Sequence, residues 1–436
     1  MRRLSSHFLL AVIASGILFV SLGRGQYLEA VIPVGHDPLG VLWNPTSNKV
    51  YAANYWDGTV SVIDGATNQV LATVAVGEYP WTLCWNSANN KVYATCRDPD
   101  WVYVIDGVGD SVTKRIRTRA NPTHMAYNAA MNKLYVQCID DRMVRVYDGA
   151  EDTLIAEVWL GATPSFLMMH PVSNRVFCSL AEGDSILTID CASDEVTGVV
   201  HVGGSSGALC WNRVNNLVYV DCDNGIHVLS AAGDSVVGVI PAHGDMTFAP
   251  YPNKIFAVTS AWTYVIDCGR QSVLDSLPCY GYAAVCDTIR GKVYTAASNG
   301  SYVLDARADS LLSLIQLGTG LPQSIAWNPT YSRVYIGVDA GTVLYVIRDT
   351  SVAIAEPVGS DVGSTRVVAA IVRGSLLLPA HNEGRETNGE LLDISGRKVL
   401  DLHPGPNDVS RLAPGVYFVR EAQAQAQAVH KVVIGR

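Results

Sequence analysis

Residues 43–65 read WNPTSNKVYAANYWDGTVSVIDG, and residues 85–107 repeat most of that pattern as WNSANNKVYATCRDPDWVYVIDG. The residue six places before each "KVY"-type segment recurs along the chain as Trp43, Trp85, Tyr127, Met169, Trp211, Phe248, Cys286 and Trp327. The first four intervals are forty-two residues, and the next three are thirty-seven, thirty-eight and forty-one. A regular period of this length is typical of a repeat architecture rather than of unrelated domains.

Each repeat contains four segments that favour β-strands. In the first repeat they are PLGVLW, KVYAAN, TVSVID and QVLATVAV. Val, Ile and Tyr suit pleated strands, and short turns between such strands produce an antiparallel meander. A single sheet of this kind is apolar on both faces and cannot bury either one. Radial stacking of the repeats buries both faces, so the sequence predicts an all-β protein built as a β-propeller.

The strand count sets the number of blades. The first three strand types occur eight times, and the segment YLEAVIPVG at 27–35 resembles the fourth-strand segment QVLATVAVG. We expect residues 27–34 to form the outer strand of the last blade, because this pairing closes the ring without an open edge. The prediction is an eight-bladed propeller over residues 26–350. A seven-bladed ring is the alternative, because the sixth and seventh repeats are short.

Polar residues recur at the turns of the repeats. The first turn opens and closes with asparagine in most repeats, and aspartate ends the third strand at Asp64, Asp106, Asp148, Asp190, Asp267 and Asp305. A column of aspartates could suggest catalysis, but a reaction needs unlike groups that converge on one place. One copy in nearly every repeat therefore favours turn capping by the side chains.

The chain begins with features of a secretory signal peptide. Arg2 and Arg3 precede an apolar run over Phe8–Val20, and small residues follow it. This run is short for a membrane span of about twenty residues, so residues 1–25 are predicted to be a cleaved leader. The ten cysteines lack paired spacing and are interpreted as small core residues. Cys96–Cys138 is the first pair to test as a disulfide.

Composition excludes some partners. The 436 residues are 49% hydrophobic and 16% charged, with a net charge of −9. No basic patch is present in the sequence, so nothing favours binding of nucleic acid or of an anionic membrane surface. We predict no transmembrane segment in the mature chain.

Three segments resemble a known repeat family. KVYAAN at Lys49–Asn54, TVSVID at Thr59–Asp64 and VGEYP at Val76–Pro80 resemble the YVTN-type β-propeller repeats of surface-layer and secreted microbial proteins. The resemblance covers about residues 27–350 and implies the propeller fold. It implies little about activity, because such propellers include surface proteins of unknown ligand and have lactonases and quinoprotein dehydrogenases among their relatives.

The end of the chain has a separate resemblance. LLDISGRKVLDL at 391–402 and NDVSRLAPGVYFVR at 407–420 look like the sorting domain of the type IX secretion system, through Gly396, Arg397, Val399, Leu412, Gly415 and Tyr417. We expect a linker at 351–365, a small β-sandwich at 366–436, and a long loop at the low-complexity stretch 422–428. The resemblance implies contact with the type IX machinery and display outside a two-membrane bacterium. The alternative is an ordinary β-domain that stays attached.

A candidate binding surface lies on the loops that differ between repeats. In a propeller the connections from the second to the third strand and from the fourth strand to the next blade share one face. The candidates there are Tyr55, Trp56, Asp57, Tyr79, Trp81, Asp98, Asp100, Trp101, Asp140, Asp141 and Asp184. Rigid aromatic rings beside carboxylates suit a protein or glycan ligand, a cationic partner or a metal ion. The alternative is a solvated acidic rim with tryptophans packed between blades.

Three functions remain open from the sequence. The favoured one is an exported, non-enzymatic binding or interaction scaffold at the cell surface or in the medium. An exported channel enzyme would need unlike groups such as His36, His124 and Arg119 to converge, and no H-x-x-x-H or G-x-S-x-G spacing is present. A surface-layer subunit is the third. No cofactor is predicted, and a structural cation on the acidic loops is left open.

Overall fold

The computed structural model describes residues 25–118, 121–318, 320–351 and, toward the C-terminus, 370–372, 375–378, 389–392, 397–403, 405–409, 411–412, 415–421 and 429–434. These residues form strands, turns and irregular segments, with no helix among them. Accordingly, no described helix could cross a membrane. Nearly all of the predicted leader and linker, Arg119, Gly396 and the loop 422–428 lie outside the described residues.

Eight four-stranded antiparallel sheets follow one another along the chain, and each is one blade. Blades 1 to 4 are formed by β2 (Pro38–Asn44), β3 (Lys49–Asn54), β4 (Thr59–Asp64), β5 (Val70–Ala75), β6 (Glu78–Asn86), β7 (Lys91–Asp98), β8 (Trp101–Asp106), β9 (Val112–Arg117), β10 (Pro122–Asn128), β11 (Lys133–Cys138), β12 (Met143–Asp148), β13 (Leu154–Trp159), β14 (Pro164–His170), β15 (Arg175–Leu180), β16 (Ser185–Asp190) and β17 (Glu195–His201).

Blades 5 to 7 and three of the four strands of blade 8 follow along the chain. They are β18 (Ser206–Asn212), β19 (Leu217–Cys222), β20 (Gly225–Leu229), β21 (Val236–Ile240), β22 (Asp245–Ala249), β23 (Lys254–Val258), β24 (Thr263–Asp267), β25 (Ser272–Leu277), β26 (Ala283–Asp287), β27 (Lys292–Ala296), β28 (Ser301–Asp305), β29 (Ser310–Ile315), β30 (Pro322–Asn328), β31 (Arg333–Val338) and β32 (Val343–Asp349).

Strand β1 (Gln26–Pro33) supplies the fourth strand of blade 8 and closes the ring. It pairs antiparallel with β32, in a register that runs from Gln26 opposite Asp349 to Pro33 opposite Val343. Glu29 accepts hydrogen bonds of 2.8 Å from both Arg333 and Arg348, which lie on β31 and β32, the two middle strands of the blade. The prediction of eight blades closed by residues 27–34 is confirmed.

The core lies between blades rather than inside any one of them. In one cluster Tyr51, Val60 and Val62 of blade 1 pack against Val92 and Ile105 of blade 2, and all five are fully buried. Burial of apolar area is the main favourable term in folding. Because each sheet has two apolar faces, every blade needs both neighbours, which is why the ring must close.

The aspartate column caps turns, as predicted. Asp64 Oδ1 accepts hydrogen bonds from the backbone N–H groups of Ala66 at 2.7 Å and Thr67 at 2.8 Å. The same pair of backbone bonds, two and three residues on, is made by Asp106, Asp148, Asp190, Asp267 and Asp305. These carboxylates are satisfied locally and are structural.

The asparagines of the first turn do more than shape that turn. Asn44 Oδ1 accepts the N–H of Thr46 at 2.9 Å, while its Nδ2 donates to Oδ1 of Asn90 in the next blade at 2.8 Å. The same inter-blade bond runs from Asn86, Asn128, Asn212 and Asn328 to Asn132, Asn174, Asn253 and Asn48, respectively. The last of these joins blade 8 to blade 1.

The Lys and Tyr of the "KVY" strand also bind the next blade. Lys91 Nζ lies 2.8 Å from Asp152 Oδ2, and Tyr93 donates its hydroxyl to Asp152 Oδ1 at 2.7 Å. Equivalent lysine–aspartate pairs are Lys49–Asp110, Lys133–Asp194, Lys254–Asp309 and Lys292–Asp349. The recurrence of this motif therefore reflects a shared bond between neighbouring blades.

All ten cysteines are free thiols, and nine of them are buried. Cys96 and Cys138, the pair singled out for a disulfide, are each fully buried and unpaired. Burial raises the pKa of both thiols, Cys96 to about 12 and Cys138 to about 11. The interpretation of the cysteines as small core residues agrees with the structure, and the Cys96–Cys138 disulfide is not formed.

The predicted small C-terminal β-domain is present as two sheets. A five-stranded sheet has the order β33 (Ala370–Val372), β39 (Val429–Ile434), β38 (Gly415–Glu421), β35 (Gly389–Leu392), β36 (Lys398–Leu402), and β34 (Ser375–Leu378) pairs with β37 (Gly405–Asp408). Leu391, Leu402, Val409 and Tyr417 form its buried core, with Val399 and Leu412 against it. Three residues of the sorting-domain resemblance thus lie at this core.

Candidate functional site

The loops of the propeller divide between two faces. We call the face with the β3–β4 and β5–β6 type connections the variable face, and the face with the Asn and Asp turns the repeating face. Backbone bonds on the variable face link its two loop types, as from the N–H of Tyr55 to the carbonyl of Asp37 at 2.9 Å. A rigid ring of strands thereby holds loops of differing sequence side by side.

Four aromatic side chains predicted from the sequence meet on the variable face of blades 1 and 2. The ring centroid of Tyr55 lies 5.0 Å from those of Trp56 and Tyr79 and 5.8 Å from that of Trp81. Trp56 and Tyr79 make an edge-to-face contact at 5.5 Å. Trp56 is nevertheless 58% exposed. This aromatic cluster is therefore a preformed apolar surface that is open to solvent.

A cleft of about 330 Å³ adjoins this cluster. Its walls are Tyr55 from blade 1, Tyr79, Arg97 and Asp100 from blade 2, and Asn121 and Asp140 from blade 3. Tyr55 and Arg97 are forty-two residues apart, as are Tyr79 and Asn121, so the cleft uses equivalent positions of successive repeats. The identity of the side chain changes at each position, which gives the cleft one aromatic and one polar wall.

Hydrogen bonds organise the polar wall. Arg97 Nε donates to Asn121 Oδ1 at 2.9 Å, and the backbone N–H of Asn121 donates to Asp100 Oδ1 at 2.7 Å. Asn121 Nδ2 donates a longer bond of 3.5 Å to Asp140 Oδ1. The Arg97 guanidinium also lies over the ring of Trp81, 5.4 Å from its centroid. The wall is thus arranged before any ligand binds.

Three residues of the cleft have left-handed backbone geometry. The φ angles are 55° at Tyr79, 66° at Asp100 and 41° at Asn121. Asn and Asp tolerate this region, but a tyrosine there stores strain of about 1 kcal/mol. Strain of this kind is concentrated at ligand clamps and active sites. Tyr79 therefore occupies a position where an asparagine or glycine would be easier to accommodate.

The remaining predicted candidates lie on the same face but outside the walls of the cleft. Asp57 Oδ2 accepts the backbone N–H of His36 at 2.9 Å, and Asp98 is exposed at the end of β7. Trp101 lies under Arg115, whose guanidinium carbon is 5.4 Å from the ring centroid. Asp141 pairs with Arg145 at 2.7 Å. These contacts assign the four residues to loop support and to the rim.

Asp184 lies in blade 4, beside a serine and a histidine. Ser185 Oγ donates to Asp184 Oδ1 at 2.8 Å and lies 2.9 Å from His201 Nδ1, which is itself 3.2 Å from Asp184 Oδ1. A serine–histidine–aspartate relay needs serine and aspartate on opposite nitrogens of the ring. Here both contact the same nitrogen, so the group is a local hydrogen-bonded cap rather than a relay.

The histidines proposed for a channel enzyme do not meet within the described residues. His36 Nδ1 pairs with Asp37 Oδ1 at 3.0 Å, while His124 packs on Phe166 with ring centroids 4.5 Å apart. Burial lowers the pKa of His124 to about 4, so its ring is neutral at physiological pH. Arg119, the third member, lies outside the described residues.

A second polar group, not found by sequence reasoning, lies between blades 5 and 6. Asp221 Oδ1 is 3.5 Å from His243 Nδ1 and accepts the N–H of Gly244 at 3.2 Å. Burial raises the pKa of the neighbouring Asp245 to about 6. Hydrogen bonds from the backbone N–H groups of Ala284 and Met246 lower this pKa, but burial has the larger effect. Across the part of the chain that the structure describes, no three His, Cys, Asp or Glu side chains form a metal-binding group.

Sequence reasoning found four of the six cleft residues and missed Arg97 and Asn121. Arg97 lies inside the loop CRDPDW, but only its acidic and aromatic neighbours were selected. Asn121 precedes Pro122 as Tyr79 precedes Pro80. A comparison of equivalent positions, repeat by repeat, would have found both residues.

The fold and the site together define the class: an eight-bladed β-propeller with a small preformed cleft on its variable face. Residues 27–245 match the family model of the YNCE-like beta-propeller, a span that includes blades 1 to 5 and every cleft residue. This match covers half of the chain, and the protein belongs to the YNCE-like β-propeller family. A search of the curated proteins found no match.

Proposed function

We propose that the protein is a non-enzymatic binding scaffold that holds its ligand in the cleft of blades 1 to 3. The observation that carries this proposal is a difference between the two faces of the propeller. On the repeating face the asparagine, lysine and aspartate side chains bond to turns or to the next blade. On the variable face the aromatic cluster and the cleft remain open.

The chemistry of the cleft supports recognition. Tyrosine and tryptophan offer large contact areas at a low cost in conformational entropy, and arginine and aspartate fix orientation. Arg97, Asn121 and Asp100 are held by one another, so little ordering is needed when a ligand binds. A rigid surface of this kind suits an interaction scaffold.

A thermal-shift screen of the full chain tests this function. Small saccharides, peptides and metabolites are added in turn to the wild type and to Trp56→Ala. A ligand at hundredfold excess over its Kd raises the free energy of unfolding by about 2.7 kcal/mol. At least one chemical class is expected to raise the Tm of the wild type and to lose much of that effect in the variant.

Trp159→Ala is the matched control, because Trp159 is 59% exposed, lies on the outer strand of blade 3 and does not line the cleft. It should keep the full ligand-induced shift. If Trp159→Ala and Trp56→Ala reduced the shift equally, or if no class produced one, the cleft would not be the binding site.

We propose in addition that the scaffold is exported by the signal peptide and then by the type IX machinery acting on the C-terminal domain. Val399, Leu412 and Tyr417 of the sorting-domain resemblance lie at the core of that domain, which supports a folded unit. Mass spectrometry of the protein from native cells should find an N-terminus near residue 26 in the surface or medium fraction. Intact Met1 in the cell interior would contradict export.

A further inference from the structure

We infer that the cleft binds a carbohydrate through an uncharged sugar ring. The inference deepens the proposed binding function and rests on it. It follows from the arrangement of the aromatic rings and from the order of donors and acceptors along the polar wall.

The aromatic cluster beside the cleft is a platform and not a cage. A cation-binding cage surrounds an ammonium group with ring faces, each within about 6 Å of the charge. Here the rings of Tyr55, Trp56 and Tyr79 contact one another at 5.0–5.5 Å, which leaves no space between them for an ammonium group. The face of Trp81 already carries the guanidinium of Arg97. What remains is an outer surface on which the C–H groups of a sugar ring can pack.

The polar wall alternates donors with acceptors. Arg97 donates a hydrogen bond from Nε to Asn121 Oδ1, and its two terminal nitrogens have no hydrogen-bond partner among the described residues. Asp100 and Asp140 each bond to Asn121 through Oδ1, and within the same ranges their Oδ2 atoms are unpaired. A hydroxyl group donates and accepts at once, so adjacent sugar hydroxyls can satisfy arginine and aspartate together.

The charges of the cleft walls also favour an uncharged ligand. Arg97 opposes a cation in the cleft, while Asp100 and Asp140 oppose an anion. An uncharged ligand with many hydroxyls meets neither penalty. The rim carries the further acids Asp57 and Glu78, so a basic peptide is the rival ligand.

The size of the cleft limits the ligand. Its volume of about 330 Å³ is at the lower end of the roughly 300–1,000 Å³ of ligand pockets. A volume of this size accommodates a short oligosaccharide segment.

A printed oligosaccharide array, probed with the labelled full chain, tests the inference. The wild type is expected to bind a subset of the oligosaccharides. Trp56→Ala and Tyr79→Asn should weaken binding about tenfold or more. Asp140→Asn, which keeps the shape but exchanges an acceptor for a donor, should also weaken it. Trp159→Ala is the control and should change binding less than about twofold.

Ionic strength separates the sugar from the basic peptide. Binding of an uncharged sugar should change less than about twofold between low salt and 0.5 M salt, because there is no charge pair to screen. A display library of random peptides is run in parallel. Binding of peptides alone, lost in Trp56→Ala and reduced by salt, would overturn the carbohydrate inference and leave the scaffold function standing. An absence of binding to both probes would overturn the carbohydrate inference, and the scaffold function would be overturned with it only if the thermal-shift screen also found no ligand.

Discussion

Replacement of Ile32 by alanine is expected to lower the free energy of unfolding by about 3 kcal/mol. Ile32 lies on β1, the strand that closes the ring, and is only 4% exposed. It packs with Val50 of blade 1 and with Leu344 and Val346 of blade 8, so its removal leaves a cavity at the seam between those blades. Urea denaturation of the full chain, monitored by tryptophan fluorescence, measures the effect.

The neighbouring residue provides the control for this prediction. Val31 is 47% exposed on the opposite side of the same strand, and Val31→Ala should cost no more than about 0.5 kcal/mol. Successive strand residues point to opposite faces, so the two variants report whether β1 is seated in the predicted register. Similar small effects for both would show that the N-terminal segment does not close the ring.

Asp349→Ala is expected to be still more damaging, at about 4 kcal/mol. The carboxylate is fully buried, and it lies 3.1 Å from Lys292 Nζ of blade 7 and accepts the hydroxyl of Tyr294 at 2.6 Å. It also accepts a bond of 3.2 Å from Gln26 on β1. Removal of Asp349 leaves Lys292 buried at the junction of three segments without its carboxylate partner, and the hydroxyl of Ser351 is the hydrogen-bond acceptor that remains to it among the described residues. Urea denaturation at pH 7 measures the loss.

The pH dependence of the stability of Asp349→Ala tests whether the lost negative charge causes the destabilisation. Burial alone would raise the pKa of Asp349, but Lys292 and the hydrogen bonds from Ser351 and Tyr294 outweigh it and hold that pKa below its usual value. A lowered folded-state pKa stabilises the protein at neutral pH, and this contribution is lost as the pH falls through that value. The difference between wild type and variant in the free energy of unfolding should therefore narrow as the pH falls below the ordinary aspartate pKa of about 3.9.

Asp305→Ala is the control for Asp349→Ala. Asp305 caps a turn of the preceding blade through the N–H groups of Arg307 and Ala308. Loss of these two turn bonds, one exposed and one partly buried, should cost about 1 kcal/mol. Equal costs for the two aspartates would show that the lysine–aspartate bond contributes little to holding the blades together.

The sequence alone was sufficient to predict the blades and the closure of the ring. Strand β3 begins at Lys49 and ends at Asn54, the bounds of the segment KVYAAN, because turn residues interrupt the apolar pattern on both sides. The role of Asp64 followed from its position within one turn. Contacts between blades could not be predicted in this way. Lys91 and Asp152 are sixty-one residues apart, and only the stacking of the sheets brings them together.

The same limit explains the partial success at the site. Tyr55, Tyr79, Asp100 and Asp140 were predicted because aromatic and acidic residues crowd the variable loops. Which of eleven candidates share one cleft depends on the rotation between blades, and the candidate Asp184 lies farther around the ring, in blade 4. A pattern of aromatic and acidic residues does not point to Arg97, whereas the cleft combines side chains of both charge signs.

The central claim is that the aromatic cluster serves a ligand and that the repeating face holds the blades. The free energy of unfolding of Trp56→Ala and Tyr79→Asn, compared with that of Asp349→Ala, tests it most directly. We predict changes of no more than about 1 kcal/mol for the first two, because Trp56 is exposed and asparagine relieves the backbone strain at Tyr79. A loss of about 3 kcal/mol or more in either cluster variant would show that these rings pack the blades together, and would contradict the account.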